Sequence, residues 1–198
     1  MTDLLLSSGN KNKKREFNQI LKSAGFNVII PSDIGMDVGE IVEDADTFEG
    51  NAFKKADYLH KLVKVPVIAD DSGLSVDALG GAPGIYSARY AGEFKDDEEN
   101  INKLLTNLQG VKKEDRTAQF VCAICMIFPN GEKIETRGTV KGKIAFEKKG
   151  ESGFGYDPIF LFNDDKTFAQ MSAEEKNKIS HRKIALEKLL EKLKEREI

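Results

Sequence analysis

The chain has 198 residues, 40% of them hydrophobic and 32% charged, the balance of an ordinary soluble globular protein long enough for one domain with a real core. Lys and Arg number 30 against 33 Asp and Glu, so no overall basic excess speaks for a nucleic-acid polyanion or a membrane surface. The opening MTDLLLSSGN lacks the basic region and long apolar run of a signal peptide, and no stretch approaches membrane-spanning length, which leads us to expect a cytoplasmic protein.

Taken in order, Leu4, Leu5 and Leu6 predict a short buried strand that runs into Ser7, Ser8, Gly9 and Asn10. Residues 11–25 then predict a helix with Phe17, Ile20, Leu21 and Ala24 on one face. A strand, a tight polar turn and a helix start form an anion site in principle, because backbone N–H groups point outward and the helix dipole favours negative charge. Lys11, Lys13, Lys14 and Arg15 add positive charge there, although the pattern is not a Walker A loop and equally describes a capped helix with a solvated basic face. A second strand is expected over 26–30. An acidic run follows (Glu40, Glu43, Asp44, Asp46, Glu49) and leads into a helix over 48–62 with Thr47 as its N-cap. Acids before a helix are favourable against its dipole without any metal, yet one of them can also pair with a second carboxylate around a cation.

The stretch VIADDSGLSVDALGGAPGIYSARYAG, 67–92, is the centre of the sequence. Val65, Val67, Ile68 and Ala69 predict a buried strand, with Asp70, Asp71, Ser72 and Gly73 where its apolar character stops. Side chains at the carboxyl end of a strand in an open α/β sheet address the ligand crevice. Adjacent strand residues face opposite ways, so one aspartate is expected to point to the crevice and the other to the framework. Gly80, Gly81, Pro83 and Gly84 make a rigid loop before Tyr86, Arg89 and Tyr90, and 96–109 fits a helix. Strands are expected over 120–128 and 133–146, joined at Asn130-Gly131, an antiparallel section in an otherwise α/β sheet. Cys122 and Cys125 have C-x-x-C spacing, but FVCAICMIF reads as a buried strand whose residues three apart face opposite ways, so core thiols are expected rather than a metal or redox site.

In SGFGYDPIF, 152–160, Phe154 and Tyr156 are expected to offer exposed aromatic faces beside Asp157, suited to stacking on a planar base. The segment from 171 opens with a capping box, Ser172 to Glu175, and continues as a packing helix through Ile179, Leu186, Leu189, Leu190 and Leu193. On one straight helix Lys176, His181 and Arg182 point in different directions. If they serve one ligand, the helix must break near Ser180, with Ser180 capping a second helix.

Five segments together resemble the inosine triphosphate pyrophosphatase family: SGNKNK at 8–13, TFEGNAFKKA at 47–56, ADDSGLSVDALGGAPGIYSARYAG at 69–92, GFGYDPIF at 153–160 and MSAEEKNKISHR at 171–182. They occur in the family's order across nearly the whole chain. The resemblance implies a single α/β domain over 1–198, with an elongated central mixed sheet flanked by helices, two lobes with a ligand cleft between them, and a homodimer. It implies hydrolysis of non-standard purine nucleoside triphosphates (inosine and xanthosine triphosphates and their deoxy forms) to the monophosphate and pyrophosphate, with Mg2+ as cofactor and neither nucleic acid nor membrane as partner. It further implies roles. Ser8, Gly9, Asn10, Lys11, Asn12 and Lys13 form the triphosphate loop; Asp71 is the metal-bound proton acceptor and Ser72 a substrate contact. Phe154, Gly155, Tyr156, Asp157, Lys176, His181 and Arg182 contact base and phosphates. The second metal carboxylate falls on Glu43, where VEDADTF departs from the family's E-E-T-G-x-T-F by placing Val42 at the preceding acid. Two other readings are a nucleotide-binding regulator without turnover, which would not need Asp71, and a pyrophosphatase of related fold acting on modified pyrimidines.

Overall fold

A computed structural model describes residues 1–39, 41–94 and 96–196; Glu40 of the acidic run and the side chain of Asn12 lie outside the described residues. Strand β1 (Thr2–Leu6) buries Leu4, Leu5 and Leu6 completely, as a strand covered on both faces must. It pairs in parallel with β2 (Phe26–Ile29) on one side and with β3 (Val67–Val76) on the other. Between β1 and β2 lies α1 (Lys11–Leu21), shorter than the expected 11–25, because its last turn tightens to a 3-10 helix over Lys22–Ala24. Gly25 ends it in the left-handed region at φ 80°, where a glycine has no Cβ to clash. Helix α2 (Phe48–His60) follows, and its N-cap Thr47 accepts the Gly50 N–H through Oγ1 at 3.0 Å.

The strand expected to stop at Ala69 does not stop there. β3 continues through Asp70, Asp71, Ser72 and Gly73 to Leu74 and Val76, which are fully buried. The strand can pass two buried aspartates because both are hydrogen-bonded or ion-paired. The parallel partner β1 nevertheless ends at Leu6 opposite Ile68, so Asp70 and Asp71 do lie past the carboxyl end of the parallel pairing.

Helix α3 (Asp97–Asn107) is capped by Asp96, whose Oδ1 accepts the Glu99 N–H at 3.0 Å. β4 (Thr117–Ile127) and β5 (Lys133–Ile144) follow. Five residues, 128–132, connect them: Phe128 N–H donates to Glu132 O at 2.8 Å, and Gly131, at φ 86°, donates to Phe128 O at 2.9 Å. Two short strands extend the sheet: β6 (Phe160–Phe162) pairs antiparallel with β5, and β7 (Lys166–Thr167) antiparallel with β6; at three and two residues they carry no periodicity to read. The seven strands form one mixed sheet in the order β2-β1-β3-β4-β5-β6-β7. Helices α4 (Ala173–Ile179) and α5 (His181–Arg196) close the described chain. No helix among the described residues is long and apolar enough to cross a membrane.

The chain divides into two compact units. The first is assembled from Met1–Asp71, Cys122–Gly138 and the chain from Ile184 on, the second from Ser72–Val121 and Thr139–Lys183. In the first, Leu4, Leu6, Phe17, Val28 and Ile68 pack with Cys122, Met126, Leu186 and Leu189 in one core. Cys122 and Cys125 are buried and form no disulfide, and burial pushes the Cys125 thiol up to about 12, which bears out core thiols. In the second unit the rings of Phe120, Phe160 and Phe168 pack within 6 Å of one another.

Candidate active site

The loop between β1 and α1 is built by its own polar side chains. Ser8 Oγ accepts the Asn10 N–H at 3.1 Å, and Asn10 Oδ1 accepts the Lys13 N–H at 3.2 Å, so Asn10 is the N-cap of α1. No acid occupies the first turn of that helix; Lys11, Lys13 and Lys14 stand there instead, against the preference of a positive helix end for anionic neighbours. Two of the three are compensated from other segments. Lys13 Nζ contacts both oxygens of Asp70 at 2.9 Å, and Lys14 Nζ contacts Asp33 at 2.7 Å.

Asp70 and Asp71 face different partners, as strand alternation requires. Asp70 holds Lys13, whereas Asp71 turns to α2, where Asn51 Nδ2 donates to its Oδ2 at 3.2 Å and Lys55 Nζ lies 3.4 Å from its Oδ1. The same ammonium donates to Glu43 Oε2 at 2.8 Å. Three segments far apart in sequence thus bring two carboxylates to one cation. Burial raises the Asp71 pKa above the usual carboxylate range; the charges of Glu43 and Asp70 add to this, and Lys55 and Asn51 oppose it. For Glu43 burial acts upward too, but the charge and hydrogen bond of Lys55, with smaller help from Asp71 and Lys13, hold it below the usual value. Lys55 is raised despite its burial, because Asp71, Asp70 and Glu43 surround it, so it stays an ammonium.

Asn51 and Lys55 were not expected at the site from the sequence, although TFEGNAFKKA contains both. A signal for them exists. Phe48, Ala52, Ala56 and Leu59 make the buried stripe of α2, and positions 51 and 55 fall on the same face. A polar and a charged residue on a core face need partners, and here the partners are the carboxylates.

Among the described residues no group of three or more His, Cys, Asp and Glu could by itself hold a metal ion. The pair Glu43 and Asp71 nevertheless fits Mg2+, which uses one or two carboxylates and fills its other positions with waters and substrate phosphates. That one ammonium already bridges both residues establishes that they converge on a position suited to positive charge.

In the second unit, Asp157 is 2% exposed and organises the aromatic motif. Its Oδ2 accepts the Phe154 N–H at 3.0 Å and pairs with Lys176 Nζ, which sits 4.6 Å from the centroid of the Phe154 ring. Gly153 has φ 87°, and a Cβ there would run into the Asp157 carboxylate. Phe154 is 54% exposed, but Tyr156 is only 5% exposed. The expectation of two exposed rings is therefore corrected: the Tyr156 hydroxyl donates to Ser87 O at 2.8 Å, and a phenol with a buried acceptor is drawn inward. Gly155 N–H donates to Asp97 Oδ2 at 2.7 Å. Ser72, half-buried, directly follows Asp71 in β3.

The break required for Lys176, His181 and Arg182 to serve one ligand is present. Ser180 is extended (φ −69°, ψ 149°), α4 ends before it, and its Oγ accepts the Lys183 N–H at 3.1 Å, so His181 and Arg182 occupy the first turn of α5. His181 stacks on Phe120 at 5.0 Å with 12° between the ring planes.

The fold is that of an α/β protein with an open mixed sheet; its first unit carries a basic helix start and two converging carboxylates, and its second an aromatic-cation motif. The model of the Ham1 family matches residues 4–192, a span containing all five motifs, and the chain belongs to that family. It is 52% identical over 190 residues to the dITP/XTP pyrophosphatase of Bacillus subtilis (strain 168), covering 96% of both chains. It is 46% identical over 201 residues to the protein of the same name from Clostridium perfringens (strain 13 / Type A), covering 98% of both. Among solved structures, the Staphylococcus aureus Ham1 protein superposes with a TM-score of 0.89 at 47% identity, covering 98% of this chain and 99% of that one. A HAM1 protein from Coxiella burnetii gives 0.90 at 39% identity, covering 98% and 100%.

Proposed function

We propose that this chain hydrolyses non-standard purine nucleoside triphosphates, the inosine and xanthosine forms and their deoxy counterparts, to the monophosphate and pyrophosphate. The observation that carries the reading is the convergence of Glu43 and Asp71 on Lys55, in the unit whose helix α1 begins with three lysines. Family membership and the dITP/XTP pyrophosphatase names of its relatives support it.

Glu43 and Asp71 are the residues that would hold Mg2+, which when bound supplies neutralisation of the phosphate charge. Asp71 orients a water in line with the α-phosphorus and accepts its proton. The new bond joins the water oxygen to the α-phosphorus, and the bond broken is that to the bridging oxygen, which leaves on pyrophosphate. Lys13 and the amides at the start of α1 bind the departing charge. The second unit supplies base recognition through Phe154, whose exposed ring stacks on a purine, and through the donors of Lys176, His181 and Arg182. Tyr156, being buried, braces this motif instead of touching substrate. The reading extends to a homodimer acting in the cytoplasm, and sedimentation of the purified protein tests its oligomeric part.

The deciding experiment offers the protein a panel of nucleoside triphosphates with Mg2+ and follows the products by phosphorus NMR. Inosine and xanthosine triphosphates should give monophosphate and pyrophosphate together. Stepwise orthophosphate, or turnover confined to pyrimidines, would overturn the reading.

A further inference from the structure

We propose that Asn51 is a positioning residue for the reaction, a single rigid amide that sets the acidic segment carrying Glu43 and the Asp71 carboxylate at a fixed separation. The proposal rests on the functional reading above, and it starts from a side chain with no exposed surface. Asn51 Oδ1 accepts the Ala45 N–H at 2.9 Å, while Asn51 Nδ2 donates to Asp71 Oδ2 at 3.2 Å. The orientation of the amide follows from chemistry. A backbone N–H can only donate, so the atom facing Ala45 is the oxygen, and the nitrogen is left for a carboxylate that can only accept when ionised.

Ala45 comes within reach because the segment before α2 folds tightly over the first turn of that helix. A Cβ on Gly50 would stand 2.7 Å from the Ala45 Cβ and 3.1 Å from Thr47 Oγ1, closer than such atoms pack. Glu43 is two residues from Ala45, so a hydrogen bond that fixes Ala45 also limits where Glu43 can go. One turn along α2 from Asn51, Lys55 contacts Asp71 Oδ1 and Glu43. Each Asp71 oxygen thus has its own partner from α2, and the plane of the carboxylate is defined. No other side chain of this size offers both functions: aspartate would accept from Ala45 but present no donor to Asp71, and leucine would do neither. Groups that hold ligating carboxylates in place typically change metal affinity or activity by about 10–100-fold when removed.

Two variants test this. In Asn51→Ala, manganese binding to the nucleotide-free protein, followed by electron paramagnetic resonance, should weaken about tenfold relative to wild type. In Asn51→Asp, which keeps the acceptor for Ala45 and the side chain's volume, kcat on inosine triphosphate should fall about a hundredfold with little change in KM, since nucleotide contacts are untouched. A merely structural role would lower the melting temperature without moving either quantity for the folded fraction. Wild-type manganese affinity in folded Asn51→Ala, or wild-type kcat in Asn51→Asp, would overturn the proposal. Should Asn51→Ala not fold, the kcat of Asn51→Asp decides. Absence of pyrophosphate release by the wild type would count against the functional reading instead, and the manganese measurement then judges Asn51 alone.

Discussion

Asp71 sits under opposing influences that give a single side chain two measurable consequences. As proton acceptor, its replacement by Asn should lower kcat by about 10²–10⁴-fold while nucleotide binding survives, because the side chain keeps its size; near wild-type turnover would remove Asp71 from the mechanism. The second consequence is thermodynamic. Burial, with Glu43 and Asp70 nearby, raises its pKa in the folded protein. A group that binds its proton more tightly when folded favours the native state below the unfolded pKa and loses that contribution as pH rises through the folded value. With metal chelated, Asp71→Asn should therefore melt higher than wild type at neutral pH, and the difference should vanish below about pH 4, where both side chains are neutral. Arg182 poses a different question, one of base choice. Its guanidinium has only donors, which suits the acceptor at position 6 of hypoxanthine or xanthine and not the amino group of adenine. A donor left unpaired costs about 1–3 kcal/mol, so Arg182→Ala should shrink the preference for inosine over adenosine triphosphate in kcat/KM by about ten- to a hundredfold. An unchanged ratio would assign the reading of position 6 elsewhere. Strand alternation made legible that Asp70 and Asp71 would face different partners, whereas Lys13 and the Asp157 motif read equally well as a solvated basic helix face and a glycine-rich turn, and only the family resemblance singled them out. The places of Asn51 and Lys55 were not legible, since their shared partner Asp71 comes from another strand, 20 and 16 residues further on, which helical periodicity does not reveal. Nor was the inward turn of Tyr156, which depends on the Ser87 carbonyl.

At the scale of elements, helix starts were the most legible features and element ends the least. Thr47, Asp96 and Ser172 cap where a side-chain oxygen precedes an amphipathic run. The end of α1 depended on where Gly25 could take up its left-handed backbone, and the continuation of β3 past Ala69 depended on pairing of its aspartates. The Ser180 break was legible only as a condition: helical periodicity alone would have run α4 into α5, and the need to point three side chains at one ligand argued against it. The tight entry to α2 yields a further expectation. Gly50→Ala places a methyl carbon 2.7 Å from the Ala45 Cβ, and such overpacking costs about 1–3 kcal/mol. Urea unfolding should record that loss, and because the displaced segment carries Glu43, activity per folded molecule should drop as well. A stable, fully active Gly50→Ala would show that the segment can shift without consequence.

For the whole molecule, the arrangement of units means that the end of the chain completes the core of its beginning. Leu186 and Leu189 are fully buried and Leu193 nearly so, packed with Leu4, Phe17 and Ile68 of the first segment. Three leucines at about 1.5–3 kcal/mol each represent about 5–9 kcal/mol, comparable with the entire stability of a typical domain. Deletion of residues 184–198 should therefore unfold the first unit, seen as loss of cooperative melting and of activity; a truncated chain that still melted cooperatively and turned over substrate would contradict this. The same core holds Cys122, while Cys125, three residues on and facing the other side of β4, is as deeply buried; burial, with a thiol pushed up to about 12 for Cys125, leaves little thiolate to react in the native state. Alkylating reagents should reach them only when the unit opens, so the speed of modification becomes a clock for excursions from the native state. Any compound that binds the folded form slows that clock in proportion to its affinity, and two buried sulfur atoms become a means of ranking nucleotide analogues that the protein cannot cleave.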